Sequence, residues 1–272
     1  MSHGQWVFGY RHREANSRLI AQGSSLIATI YSKRKDMARK DATQQIQVNI
    51  PEALADMWVL LTEKQREVVT QHMEVIRYKK HQVIYREGAT PRQMFCLISG
   101  KVKIYREGVC GRTQIIRVIK PVEYFGYRAH FADGKFVTAA AAFEASIICT
   151  IPMDIVTKLV MENNKLAMFF IKLLSVDLGI ADERTVNLTQ KHIRGRLAES
   201  LLFLKETYGL EEDGATISIF LSREDLASLS NMTTSNAIRT LQIFAAEKLI
   251  ALDGRKIKII DEEELGKISR IG

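Results

Sequence analysis

The stretch LSREDLASLSNMTTSNAIRTLQIFAAEKLI, residues 221–250, decides how the rest of the chain is read. It holds two short helical patterns, Arg223–Leu229 and Thr234–Ala246, joined by a tight turn. Ser222 stands where it can cap the first helix, and Asp225 occupies the third helical position, as in a capping box. Ala227 is small enough for close approach by the second helix. Asn231 falls in the turn, where a left-handed residue is needed and asparagine is tolerated. Thr233 can cap the second helix. Met232, Ala237 and Leu241 face inward with Leu226 and Leu229. The outward strip of the second helix is then Thr234, Ser235, Ile238 and Arg239.

Working outward, Thr216–Leu221 alternates like a strand before this pair. After it, Leu249–Leu252 and Arg255–Ile260 flank Asp253-Gly254, the strongest short hairpin signal available. Strand, helix pair and hairpin make a winged helix-turn-helix, which is more specific than the helix pair alone. The N-terminal half of such a second helix meets base edges in the major groove. Arg239 can donate two hydrogen bonds to guanine O6 and N7, and Ile238 can pack on a thymine methyl. Thr234 and Ser235 can bond to bases or phosphate. Arg223 on the first helix, with Arg255, Lys256 and Lys258 on the wing, adds local positive charge. The competing reading is an ordinary solvated helix face.

Upstream, His192–Tyr208 reads as an amphipathic helix ending at Gly209, followed by the polar loop Glu211-Glu212-Asp213-Gly214. Asp154 to about Gln190 is helical as well. Its apolar positions, Leu166, Phe169, Phe170, Leu173, Leu174, Val176, Leu178 and Ile180, are wider than one stripe. A helix with two apolar faces needs two partners. One is the chain's own core; the other is the same helix of a second subunit, with Leu166, Phe170, Leu173 and Ile180 expected there. Packing within one chain alone is the alternative.

From Gln82 to Pro152 the period falls to two. Gln82–Tyr85, Met94–Ile98, Val102–Tyr105, Gln114–Ile119 and Ser146–Ile151 are short β-branched runs separated by glycines. They imply a small antiparallel barrel or jelly roll. Ala53–Leu61 and Thr62–His72 precede them as helices. The expected architecture is α+β. A basic tail spans 1–45, a sensory domain 46–160, a dimerisation helix 161–191 and a DNA-binding domain 192–272.

Composition agrees with a folded globular chain. Apolar residues are 46% and charged residues 26% of 272, which excludes a wholly disordered or collagen-like protein. The net charge of +8 invites a polyanion, but it is unevenly spread. Residues 1–40 carry +6, residues 41–191 carry +4, and residues 192–272, which hold the helix pair, carry −2. Residues 1–40 read as a tail, with Ser25–Tyr31 as a short helix; a natural start at Met37 and a nucleic-acid-binding arm are the alternatives. Glu262, Glu263 and Glu264 lie beyond the wing and are expected to point away from DNA. Cys96, Cys110 and Cys149 are scattered and odd in number, so they form neither a disulfide framework nor a four-cysteine metal site. They read as small buried hydrophobes in a reducing compartment. No stretch reads as a membrane span, and the N-terminus lacks the order of a secretory signal. A cytoplasmic location follows. There is no GxxxxGK[ST], HExxH or GxSxG, so no enzymatic chemistry is indicated.

Three stretches resemble the Crp/Fnr family of bacterial transcription regulators, over roughly residues 48–262. They are REGATPRQMFCLISGKVKIY, EYFGYRAHFADGKFVTAAA and the helix-turn-helix run itself. The resemblance implies a cyclic-nucleotide-binding-like barrel, a long dimer helix and a winged helix-turn-helix. It implies three partners: a palindromic double-stranded operator, a second copy of the chain and RNA polymerase. It places an effector pocket at Gly126, Tyr127, Arg128, Val137 and Thr138.

The departures are specific. Cyclic-AMP-responsive members follow the pocket glycine with a glutamate for the ribose, and carry Arg-Ser or Arg-Thr about eleven residues later for the phosphate. Here Gly126 is followed by Tyr127, and the pair is Val137-Thr138. A buried phosphate without its countercharge is costly. The adenine-capping positions fall near Ala181-Asp182, also a poor match. Cyclic AMP in the usual mode is therefore not expected. An iron–sulfur cluster is not expected either, because residues 1–95 contain no cysteine. A haem would need an axial ligand, for which His130 is best placed, with His72 and His81 further off; a solvated loop histidine is the commoner role. In the reading helix only Arg239 matches the family's usual base-contacting pattern, so the operator should differ from the known sites. A regulatory module that contacts protein rather than DNA is the competing function.

Overall fold

The computed structural model describes residues 50–108 and 111–271. The expected tail, Ser25–Tyr31, Met37 and Cys110 lie outside the described residues. The described residues open with α1 (Ile50–Leu60) and α2 (Glu63–His72). Thr62 caps α2 and Gln65 bonds back to the Thr62 N–H, a complete capping box.

Eight strands then build two four-stranded antiparallel sheets. The strands are β1 (Glu74–Tyr78), β2 (Val83–Tyr85), β3 (Gln93–Ser99), β4 (Val102–Glu107), β5 (Thr113–Ile119), β6 (Tyr124–Phe125), β7 (Ala139–Ala142) and β8 (Ser146–Pro152). One sheet runs β1-β8-β3-β6 and the other β2-β7-β4-β5, a jelly roll rather than a closed barrel. Three strands escape the period-two reading: β1, the two-residue β6, and β7 with its run of alanines. Alanine is a poor strand former, but Ala139–Ala142 is buried on every residue and paired on both sides, so tertiary pairing overrides propensity. Cys96 and Cys149 sit directly opposite each other across β3 and β8, both buried, and burial pushes the Cys149 thiol up to about 12.

The helical stretch expected from Asp154 to Gln190 is two helices, α4 (Met153–Glu162) and α5 (Asn164–Gln190). Asn163 divides them. Its side chain accepts from the Lys165 and Leu166 N–H groups and donates to the Leu60 carbonyl. At 27 residues α5 is roughly 40 Å long.

The last module comprises α6 (Ile193–Tyr208), α7 (Arg223–Leu229), α8 (Thr234–Ala246), β9 (Ile250–Asp253), β10 (Lys256–Ile259) and α9 (Glu262–Ile271). The expected strand Thr216–Leu221 is reduced to single bridges, Leu210 to Ile217 and Thr216 to Lys258. Leu197, Leu201, Leu226, Leu241, Phe244 and Leu265 fill the core of this module. The acidic run opens α9, which packs on α6; Glu262 is ion-paired to Lys205, and Glu263 and Glu264 to Lys267. Among the described residues, no helix is long and apolar enough to cross a membrane.

Candidate nucleic-acid interface

Local chemistry sets the helix pair. Ser222 accepts from the Asp225 N–H at 3.0 Å and donates to the Asp225 carboxylate at 2.7 Å, closing the start of α7. Asn231 takes the left-handed conformation, φ 49°, that the turn requires. Thr233 then accepts from the Asn236 N–H at 3.2 Å and opens α8. Ala237, Thr240, Leu241 and Phe244 are buried on one face of α8. Thr234, Ser235, Ile238 and Arg239 are exposed on the other, Ile238 by 40%. The strip continues to Gln242, which is also exposed. Gln242 lies one turn beyond Ile238 and is placed on this strip by the helical spacing from Ile238 and Arg239.

The wing is β9 and β10, joined by the two-residue turn Gly254-Arg255. Only Gly254 has positive φ, 55°, so the pair folds as a glycine-first hairpin turn rather than centring on Asp253-Gly254. The four cations expected here have different surroundings. Arg223 donates from Nη2 to the Gly254 carbonyl at 2.7 Å, fastening the wing to α7. Arg255 is exposed at the turn. Lys256 lies over the Phe220 ring, 5.8 Å from its centre. Lys258 pairs with Asp213 at 3.4 Å. The Asp213 carboxylate also accepts from the Thr216 and Ala215 N–H groups and the Thr216 hydroxyl. Together these hold its carboxyl well below the usual range.

The reading module is docked on the jelly roll through α7 and β5. The Ser228 hydroxyl donates to the Thr113 carbonyl at 2.6 Å and accepts from the Ile115 N–H at 2.9 Å. Lys103 of β4 pairs with Asp225, both side chains largely buried. Ile115, Val118 and Phe143 join the apolar core of the reading module.

The expected effector pocket looks different. Gly126 has φ 84°, and a Cβ there would come within 2.5 Å of the Phe95 ring. The left-handed backbone and that ring together account for its lack of a side chain. Tyr127 is turned inward, 1% exposed, 5.2 Å from the Phe170 ring centre. Arg128 is exposed at the start of α3 (Arg128–Phe131). Val137 is 65% exposed, so this position faces away from the interior. Thr138 lies beside the Tyr85 hydroxyl, which burial pushes up to about 12. Tyr85 stacks on Phe136 at 3.9 Å, beside Phe95 and Phe125, and these rings are buried with Leu97, Ile104 and Ile148. The residues present do not fit a cyclic nucleotide held in the family's usual way. His130 is occupied too: its Nε2 lies 2.9 Å from the Thr157 hydroxyl.

The expected dimer residues need correction. Leu166 and Phe170 are 1% and 3% exposed and belong to the chain's own core, against which Leu173 also packs. Ile180 is 46% exposed, but it shares its helical strip with Asp177 and Arg184, which bond Arg117 and the Ile116 carbonyl of the same chain. The apolar residues left to solvent include Ile171 at 53%, Leu178 at 62% and Leu188 at 37%. With Leu174, Ala181 and Thr185 they follow alternating spacings of three and four on a strip of α5 about a quarter turn from the core-facing one, with Leu174 at its edge packing on the chain's own core. The sequence showed that α5 has two apolar faces, but not which face its own core takes.

The two modules match two domain families in the order expected. Residues 75–163 match the cyclic nucleotide-binding domain, and residues 195–268 match the Crp-like helix-turn-helix domain. The chain belongs to the Crp/Fnr family. It is a DNA-binding transcription regulator of that type. Among curated proteins it is similar to the CRP-like cAMP-activated global transcriptional regulator of Mycobacterium tuberculosis, 24% identical over 203 residues, covering 74% of this chain and 91% of that protein. It is also similar to the regulatory protein HlyX of Actinobacillus pleuropneumoniae, 27% identical over 188 residues, 69% of this chain and 78% of that one. Among solved structures, FixK2 from Bradyrhizobium japonicum superposes with a TM-score of 0.65 at 20% identity, covering 72% of this chain and 96% of that one. A Crp/Fnr-family regulator from Eubacterium rectale superposes with a TM-score of 0.68 at 18% identity, covering 79% and 98%. At these identities the structural likeness speaks to the fold.

Proposed function

We propose that this Crp/Fnr regulator works in the cytoplasm as a homodimer and reads a palindromic operator through α8 of each subunit. The observation that carries the proposal is the exposed strip Thr234, Ser235, Ile238 and Arg239 on a helix whose opposite face is buried. Arg239 supplies the guanine contact, Ile238 an apolar contact, and Thr234 and Ser235 bonds to base or phosphate. Arg255 and Lys256 of the wing reach the backbone, while Arg223 and Lys258 act mainly by holding the wing in place. A second copy covers Ile171, Leu178 and Leu188, so that the two reading helices meet half-sites about 34 Å apart. In this reading 46–160 is the sensory domain, 161–191 the dimer helix and 192–272 the reading domain, and RNA polymerase is met at the promoter.

The mycobacterial relative is named as cAMP-activated. We propose that this protein is not activated that way, because its interior rings and the outward Val137 leave the phosphate without a countercharge. Isothermal calorimetry with cyclic AMP should give no measurable micromolar binding; a micromolar isotherm would contradict this. Binding to duplex DNA, followed by fluorescence anisotropy, should weaken steeply with salt through counterion release. A flat salt response would favour the protein-contacting module instead. Light scattering should give the mass of a dimer, and Leu178→Asp should give a monomer.

A further inference from the structure

We infer that Asn236 is a positioning residue for DNA readout, holding the Arg239 guanidinium in the plane from which it meets a base. The inference rests on α8 being the reading helix. Arg239 donates from Nη2 to Asn236 Oδ1 at 2.7 Å, across one turn of α8. Asn236 is anchored in its turn, because its N–H donates to the Thr233 hydroxyl at the start of the helix. Thr233 thus fixes the backbone of Asn236 at the helix start, and the Asn236 side chain receives Arg239. Asn236 is half-buried whereas Arg239 is exposed, and Asn236 has the shorter side chain with fewer rotatable bonds to order.

The guanidinium is a rigid planar fork of five N–H donors. Tying one nitrogen to Asn236 leaves the remaining donors in a defined plane, able to take guanine O6 and N7 together. An untethered arginine at the same place would have to be ordered when DNA binds. In the family's usual reading pattern the shared residue is this arginine, and its neighbours on the strip here are different. Asn236 stands three residues before it and supplies the acceptor. The spacing of exposed positions does not single out Asn236, since it marks residues facing out rather than residues that aim them.

The test is selection from a randomised duplex library with the full-length protein, comparing wild type with Asn236→Ala, Asn236→Asp, Arg239→Ala and the double alanine variant. Thermal melting is measured on each. Asn236→Ala should lower the preference at the base pair read by Arg239 by about threefold to tenfold, the weight of one hydrogen bond, with the melting temperature unchanged. The effect should vanish in the Arg239→Ala background. Asn236→Asp should restore the preference at that base pair while weakening binding overall, because the carboxylate keeps the acceptor and repels phosphate. An unchanged preference in Asn236→Ala would overturn the inference, and so would a loss at a different base pair, which would make Asn236 a reader itself. A wild type that enriches no motif would overturn the DNA reading of α8, and this inference with it.

Discussion

Inside the jelly roll, Tyr85 and Phe136 stack at 3.9 Å, and the position that matches the family's phosphate-binding arginine is Val137, 65% exposed. On α8, Thr234, Ser235, Ile238 and Arg239 stand in solvent over a buried face. One region closes its interior with packed rings; the other leaves Arg239 and its neighbours open to solvent. Gly126 shows why the first could be misread. It stands where the family pocket has its glycine, yet its positive φ and the Phe95 ring account for it.

The contrast can be broken by experiment. If the interior is truly filled, Phe136→Ala removes a stacked ring from a close-packed core and should lower the unfolding free energy by about 3–5 kcal/mol in urea denaturation. The selected DNA motif should stay the same. A loss well under 1 kcal/mol would mean a loosely filled interior with room for an effector.

The seam between the two regions is next. Ser228→Ala leaves the Ile115 N–H and the Thr113 carbonyl without their partner, in a contact that is largely buried. The expected cost is about 1–3 kcal/mol, read by the same denaturation. No change would mean that the docking of α7 on β5 does not contribute to stability.

The smallest effect sharpens the comparison near Glu123. Val122 holds φ 71°, a conformation that β-branched residues rarely adopt, in the turn closed by the Glu123 N–H on the Lys120 carbonyl. Val122→Gly relieves that strain but makes the unfolded chain more flexible, so a net gain of about 0.5–1 kcal/mol is expected. Destabilisation would show that the half-exposed Val122 side chain contributes more by packing than the turn costs.

The sequence was most legible where local chemistry decides the outcome. Ser222, Asn231 and Thr233 take the cap and turn positions read from the residues alone, because each satisfies or frees backbone groups within four residues. Thr62 and Gly209 mark helix ends for the same reason. Legibility failed where distant partners decide. The alanines of β7 have no strand preference until β2 and β4 pair with them. Leu166 and Phe170 are apolar on a two-faced helix, and only the packed core shows that they belong to this chain. Val137 lies in the effector segment by alignment, but its outward direction depends on Phe136 turning in. Charge misled in a different way. The net +8 pointed to nucleic acid, whereas the module that carries the reading helix is net −2, and Lys258 there is tied to Asp213.

The central claim is that α8 reads DNA through Arg239. The measurement that tests it most directly is selection from a randomised duplex library, with wild type and Arg239→Ala compared side by side. Wild type should enrich a two-fold symmetric motif. Arg239→Ala should lose preference at one base pair of each half-site, about 1–3 kcal/mol of discrimination, with the other positions unchanged. An identical motif of identical strength from the two proteins would contradict the account.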